Sequence, residues 1–308
     1  MDRRWFGAIV VACTVLAAVV APNVTARRVG GTAIPVAIDA PPAVGSCALT
    51  ITDPWSSNPE TGFAVGNVID YPTARFGPCA GAAVGEVIFV DAATSPPEQV
   101  VDNDYQTTLQ QCALDAIGYL GSIPPVVYRG IGQPGIIWSS VLAFRYTAIG
   151  PSAVQRAAGQ RWSACAVGST EAKPYVGQLR NVLSTGVLPA EFGSCWPSVD
   201  LVPVEIPCDS PHPVELLGWS SIGSDSVSAT ELRQACTVYA GRALRTSDPT
   251  RGGAIRPEIV SFDRDTPTIP AGDAVLADGS VACVLIAQNG RQFNNTLVGI
   301  GQRPLPLV

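Results

Sequence analysis

Cysteine spacing limits what this 308-residue chain can fold into more than any other feature. Apart from Cys13, which lies in an apolar leader, eight cysteines fall into two sets of four: Cys47, Cys79, Cys112, Cys165 and Cys195, Cys208, Cys236, Cys283. Each set opens with Gly-Ser-Cys and carries a glutamate seven residues after its second cysteine, Glu86 and Glu215. Each has Leu, Gln and Cys close together, at Leu109 to Cys112 and at Leu232 to Cys236. Counted from the fourth cysteine, both sets have Phe at −21 (Phe144, Phe262), Ala at −1 (Ala164, Ala282), an aromatic at +10 (Tyr175, Phe293) and Leu at +14 (Leu179, Leu297). So many matches identify a tandem duplication of one four-cysteine unit.

Four cysteines per unit imply two disulfides, and structural disulfides belong to oxidising compartments, so export is expected. The N-terminus agrees. Asp2-Arg3-Arg4 begins a basic segment, Trp5 to Val20 is almost uninterruptedly apolar, and Val24-Thr25-Ala26 offers small residues for cleavage, the pattern of a signal peptide over 1–26. The run from Trp5 to Pro22 is also near membrane-spanning length, so an uncleaved tether through residues 5–22 is the alternative. Val10-Val11-Ala12-Cys13 is a loose lipidation site, disfavoured because the apolar run continues past Cys13.

One lysine stands against eighteen arginines, the usage of a GC-rich genome. Without residues 1–26 the chain has 17 basic and 24 acidic residues, a net charge of −7, and no basic patch, which disfavours nucleic acid as a partner. Asn23-Val24-Thr25 and Asn294-Asn295-Thr296 read as incidental sequons.

The organisation follows from the duplication. Residues 27–44 read as a linker, 45–183 as the first domain and 193–302 as the second, and the connection 184–192 is too short to be a free tether, so the domains should pack with a fixed geometry. No helix or turn signal marks 303–308. In the second domain, strands are expected at Leu201–Ile206, Val214–Trp219, Ile259–Phe262 and Ser280–Ala287. A helix is expected over Ser228–Arg245, with Thr230 available as cap and Leu232, Cys236, Tyr239, Ala240 and Ala243 on one face. The first domain repeats this with Val84–Asp91, a helix near Asp102–Tyr119, Val141–Tyr146 and Ser163–Val167. The fold class is α+β: two small domains, each with one main helix on a mostly antiparallel sheet.

Four cysteines allow three connectivities per domain. First-with-second and third-with-fourth is favoured, because the first pair would staple a short hairpin and the second would tie the inner helix face to a central strand. Each closure is worth about 3–4 kcal/mol in the chain-entropy model. Zinc is disfavoured, since close Cys pairs and additional His are missing; no metal and no cofactor are expected.

The second unit reads Gly193-Ser194-Cys195, then Val204-Glu205-Ile206-Pro207-Cys208-Asp209-Ser210-Pro211-His212-Pro213-Val214-Glu215. This resembles the signature of the septum-formation domain of actinobacterial envelope proteins, completed by the Cys-bearing helix and the late Cys-bearing strand. The first unit matches only through its cysteines and Glu86, with Ala83 where the second has His212. The resemblance implies an exported or membrane-tethered envelope protein associated with division, and no catalytic mechanism.

His212 is the only histidine. Cys208, His212 and Glu215 could form a ligand-binding microsite near neutral pH. Alternatively His212 fixes a turn by bonding a backbone carbonyl or Glu215, and Glu86 and Glu215 bond backbone N–H groups at strand ends. The structural roles are preferred, because Ala83 replaces the histidine in the first unit. Asp209 and Ser210 lie too close to His212 in sequence for a catalytic triad, and no nucleophile elbow, phosphate loop or zinc-helix motif occurs. Trp138, Trp162, Trp196 and Trp219 read as core or rim residues rather than a sugar platform. The function expected is therefore a non-catalytic interaction module of the envelope, recognising an envelope or division protein around Pro211, His212 and Glu215 and at the cleft between domains. The alternatives are a carrier or sensor of a small apolar or glycan ligand in that cleft, and a wall hydrolase or transferase.

Overall fold

The central strands of both halves are near-continuous apolar runs, such as Val281–Ala287, and each half folds them into an antiparallel sheet with one face under its helix. The computed structural model describes residues 37–52, 72–92, 102–123, 127–128, 136–170, 173–199, 204–222, 226–263, 266–277 and 279–308. The signal or tether expected over residues 1–26, most of the linker, and positions 201–203 of the strand expected at 201–206 lie outside them.

The first sheet is built from β1 (Cys47–Thr52), β2 (Thr73–Gly77), β3 (Gly85–Asp91), β7 (Phe144–Ile149) and β8 (Ser163–Ser169), in the order β2-β1-β3-β8-β7. Between β3 and β7 the chain forms helix α1 (Asp102–Leu120), the two-residue strands β4 (Val127–Tyr128) and β5 (Ile136–Ile137), which pair with each other, and β6 (Ser139–Ser140). The short helix α2 (Ala153–Ala157) joins β7 to β8. After a 3-10 turn (Ala190–Phe192), the second half contributes β9 (Ser194–Trp196), β10 (Val214–Ile222), β11 (Val227–Ser228), α3 (Ala229–Leu244), β12 (Ile255–Asp263), β13 (Thr266–Thr268), β14 (Val275–Leu276) and β15 (Gly279–Ala287). Its sheet runs β13-β12-β15-β10-β6, with β9 also paired to β10, while β11 pairs with β14. The order β1-β3-β8-β7 in one half is thus the order β9-β10-β15-β12 in the other, and a long helix follows the second strand in each.

The α+β, mostly antiparallel class holds, as do the disulfide pairs Cys47–Cys79, Cys112–Cys165, Cys195–Cys208 and Cys236–Cys283. Both helix cysteines bridge to central strands, β8 and β15. In α3, the expected face of Leu232, Cys236, Tyr239, Ala240 and Ala243 is buried throughout. Its cap is Ser228 rather than Thr230: Ser228 and Glu231 form a reciprocal capping box, and Thr230 bonds Asp273 instead. The strand expected at Val141–Tyr146 begins at Phe144, because Val141 bonds outward to Leu217 of the other half and Ala143 to Phe192 of the connecting segment.

Residues Asp39–Val308 form one compact unit, and the segment 184–192 is no break in packing. A single buried apolar cluster runs from Cys47 through Leu183 and Leu188 to Ile300. Strand β6 of the first half extends the second sheet, Ser140 opposite Gly218. A Cβ on Gly218 would lie 2.7 Å from the Ser139 carbonyl, so only glycine permits this approach. Trp138 stacks on Tyr239 of α3 at 6.3 Å, and the Tyr239 hydroxyl is 2.8 Å from Ser140 Oγ. Phe192 packs between Phe144 and Tyr175, and Arg245 at the end of α3 donates to the carbonyls of Val182 and Gly186. The tail 303–308, which carries no signal, closes against the second half: Leu307 bridges Phe293, and Val308 exchanges backbone bonds with Gln292.

Candidate functional site

The polar residues shared by the two units sit inside the protein as fasteners. Ala83 pairs with Tyr175 in one half and His212 with Phe293 in the other, in equivalent two-bond bridges. Each bridge brings the segment after the last strand back across the end of the sheet, where its backbone N–H groups need acceptors. Glu86 accepts from Leu179 N at 2.7 Å, and Glu215 from Leu297 N at 2.8 Å, so the leucines matched at +14 are the residues clasped.

The second donor differs. Glu86 accepts from the Tyr119 hydroxyl, supplied by α1, whereas Glu215 accepts from the Thr296 hydroxyl, supplied by the clasped segment itself. Arg180 lies over the Tyr119 ring at 4.8 Å, and its charge favours the Glu86 carboxylate; Val298 stands at the corresponding place beside Glu215. Burial raises both carboxyls above their ordinary range. Without a cation, Glu215 is pushed up to about 7, although Thr296 and the Leu297 and Val298 N–H groups oppose the shift. The neighbouring Tyr119 hydroxyl is pushed up to about 12, by burial first and then by Glu86.

His212 is fully buried. Its Nδ1 lies 2.8 Å from the Ser210 carbonyl, its ring packs at 5.7 Å against Phe293, and its Nε2 has no hydrogen-bond partner among the described residues. Burial lowers its pKa, with the Ser210 bond opposing. Its nitrogen lies within 4.8 Å of the sulfurs of Cys195 and Cys208, but those are bonded to each other and present no thiolate. The glycine two residues before Cys195 is dictated by the same disulfide, since a Cβ on Gly193 would lie 2.6 Å from Cys208 Sγ. In the first half the matching Gly45 is required for another reason, a φ of +90°.

These positions correct the expected recognition surface. Of Pro211, His212 and Glu215, only Pro211 reaches solvent, so the other two cannot contact a partner. Where Ala143, Thr170 and Lys173 face Glu191, Glu205 and Asp209, a cavity of about 30 Å3 remains, room for one water. Trp138, Trp162 and Trp196 are core residues, each 1% exposed. The Phe pair matched at −21 is not equivalent in space: Ala148 pairs with Cys165 and Ile259 with Cys283, which sets Phe144 against Ile255 rather than Phe262. Sequence reasoning missed Tyr119, Arg180 and Thr296, and no repeat offset could reveal them because each belongs to one half alone.

No protein-family model, curated protein or solved structure matches this chain. Among the described residues no helix is long and apolar enough to cross a membrane. Four disulfides fit an extracytoplasmic location, where such bonds persist.

Proposed function

We propose that the protein is an exported, non-catalytic interaction module of the cell envelope, of the septum-formation kind, that docks another envelope protein on the outer face of α1. The observation carrying this reading is the exposure of Leu114 and Ile117, 63% and 60%, one turn apart on a helix whose inner face is clamped by Cys112–Cys165. Gln110 and Gly118 flank them in the open. At the same register α3 has Val238 and Gly241, bordered by the exposed Arg242. An apolar pair on a rigid helix, flanked by Gln110 and Gly118, is a low-cost anchor for a partner's apolar patch. The polar residues that resemble the family signature serve as internal fasteners, which supports an envelope scaffold over an enzyme. Retention outside the cytoplasm rests on the leader, whether cleaved after Ala26 or kept as a tether through residues 5–22.

Proximity labelling in the native envelope tests this directly. Leu114→Asp with Ile117→Asp should remove the dominant labelled neighbour while leaving melting unchanged, and Val238→Asp should not. A neighbour set unchanged by the double variant would refute α1 as the docking face. A reporter fused after Val308 should be active outside the cytoplasm, and activity confined to the cytoplasm would remove the export reading.

A further inference from the structure

Residues 305–308 are held to the second half by few bonds. Val308 and Gln292 exchange backbone bonds of 2.9 and 3.2 Å, and Asn294 donates to the Pro306 carbonyl at 3.0 Å. Pro304 and Pro306 bring no N–H, and Leu305 and Leu307 are only half-buried. The segment they pair with is fixed in turn by Phe293, whose backbone exchanges two bonds with His212 on its other side. His212, Phe293 and Leu307 thus stand in one row, and whatever lifts Phe293 loosens the tail.

The ring of His212 supplies a means. Its Nδ1 faces the Ser210 carbonyl, so that nitrogen carries the proton of the neutral ring and donates it. A second proton must go to Nε2, which is buried and has no acceptor among the described residues. The titratable and charged groups on the surrounding elements offer no counter-charge. Glu205 is bonded to Ser194, Glu215 is turned to Thr296 and Leu297, Asp209 and Arg291 are exposed, and Cys195 and Cys208 are joined to each other. An imidazolium here would be an unpaired charge against the Phe293 ring. Lifting Phe293 would wet the ring at the cost of two backbone bonds.

The first half has neither part. Ala83 stands for His212, and Pro174 stands for Gln292, because Tyr175 and Phe293 share one offset from the fourth cysteine. A proline at that place has no N–H with which to hold a strand. The histidine and the added strand therefore occur together, in one half only.

We infer that His212 and Phe293 form an acid-sensitive latch on residues 303–308. Protonation at Nε2 opens the His212–Phe293 bridge by local unfolding and releases the strand. Gln292 and Asn294 are then left unpaired at an edge that another chain can join. The inference does not depend on the docking face of α1.

Native-state hydrogen exchange by NMR in the oxidised protein, corrected for its intrinsic pH dependence, reads the opening of each amide. The Hε1 resonance of the single histidine reads the proton directly. From pH 7.5 to pH 5 the opening of Phe293 and Val308 should rise by up to about thirtyfold, the limit set by a freed ring titrating at 6.5. This opening should be insensitive to low denaturant, unlike that of the central amides of β15, and the Hε1 shift should follow the same pH course. His212→Asn should abolish the rise; melting curves establish that it folds, and the wild-type Hε1 titration stands without it. A flat opening, a rise with the denaturant dependence of β15, an equal rise in His212→Asn, or a ring that titrates while Phe293 stays closed would each overturn the latch.

Discussion

The two halves share a chain path and differ in how they fill it. Both use a helix-to-strand disulfide, a bridge at the sheet end and a buried glutamate clasping a leucine N–H. The first half completes its clasp with Tyr119 and a nearby arginine, and packs the far side of its sheet with Val87, Ile149 and Trp162. The second completes it with Thr296 and no cation, and packs that side with Trp196, Val214 and Val284. Backbone closure is therefore the invariant requirement, and side-chain supply and surface are free to diverge. The first half carries the exposed helix pair proposed above as a docking face.

The largest effect should come from the helix disulfides. Replacing Cys236 and Cys283 by Ala should cost about 3–4 kcal/mol, and replacing Cys112 and Cys165 about the same. Because one core spans both halves, either loss should lower a single transition, with tryptophan fluorescence and far-UV circular dichroism melting together. Two separated transitions would break the comparison by making the halves independent.

Glutamate titration sharpens it. Glu215 is raised from 4.5 to about 7 in the folded protein, so between those values the native state holds a proton that the unfolded chain has released. Its contribution is greatest below pH 4.5 and is lost as pH rises through 7, by at most about 3 kcal/mol. His212 acts oppositely: its folded pKa is lowered, so stability is lost as pH falls below 6.5. The wild type minus Glu215→Gln difference isolates the first effect, and chemical denaturation from pH 4.5 to 8 should show it declining with pH. A flat difference would mean that Glu215 is not held protonated by burial.

Tyr119→Phe strips Glu86 of one donor inside the protein and should cost about 1–3 kcal/mol by denaturant unfolding. Thr296→Val tests the matching donor in the second half, and a negligible cost in either half would show that its second donor is dispensable. The smallest change is expected at His212. His212→Ala should lower stability by about 1 kcal/mol for the lost Ser210 bond, and His212→Asn by less. Since Ala83 occupies the same place in the first half, a large loss would show that the second half depends on its ring.

Local pattern was enough to find the inner face of α3 and the central strands, because the periods of helix and strand act over a few residues, while the disulfide pairing was one of three connectivities that the spacing allows. Repeat offsets also located Leu179 and Leu297, though their task as donors to Glu86 and Glu215 appears only in three dimensions. Ser228 and Glu231 stand at capping-box spacing in the sequence, beside Thr230 as a rival cap, and the rivalry is settled by Asp273, just before β14, which takes the Thr230 hydroxyl.

Taken alone, the amino-acid order determined an α+β class with its main helices and strands, and set out a four-cysteine pattern that occurs twice. Tertiary structure decided that the halves share one core, that His212 and Glu215 lie inside, that the tail closes the second half, and that the far faces of the two sheets are packed around different tryptophans, Trp162 and Trp196. The physical reason is separation along the chain. Burial depends on which faces meet, and the deciding contacts join residues as distant as Ser140 and Tyr239, 99 apart, or Glu215 and Leu297, 82 apart, where no local periodicity reaches.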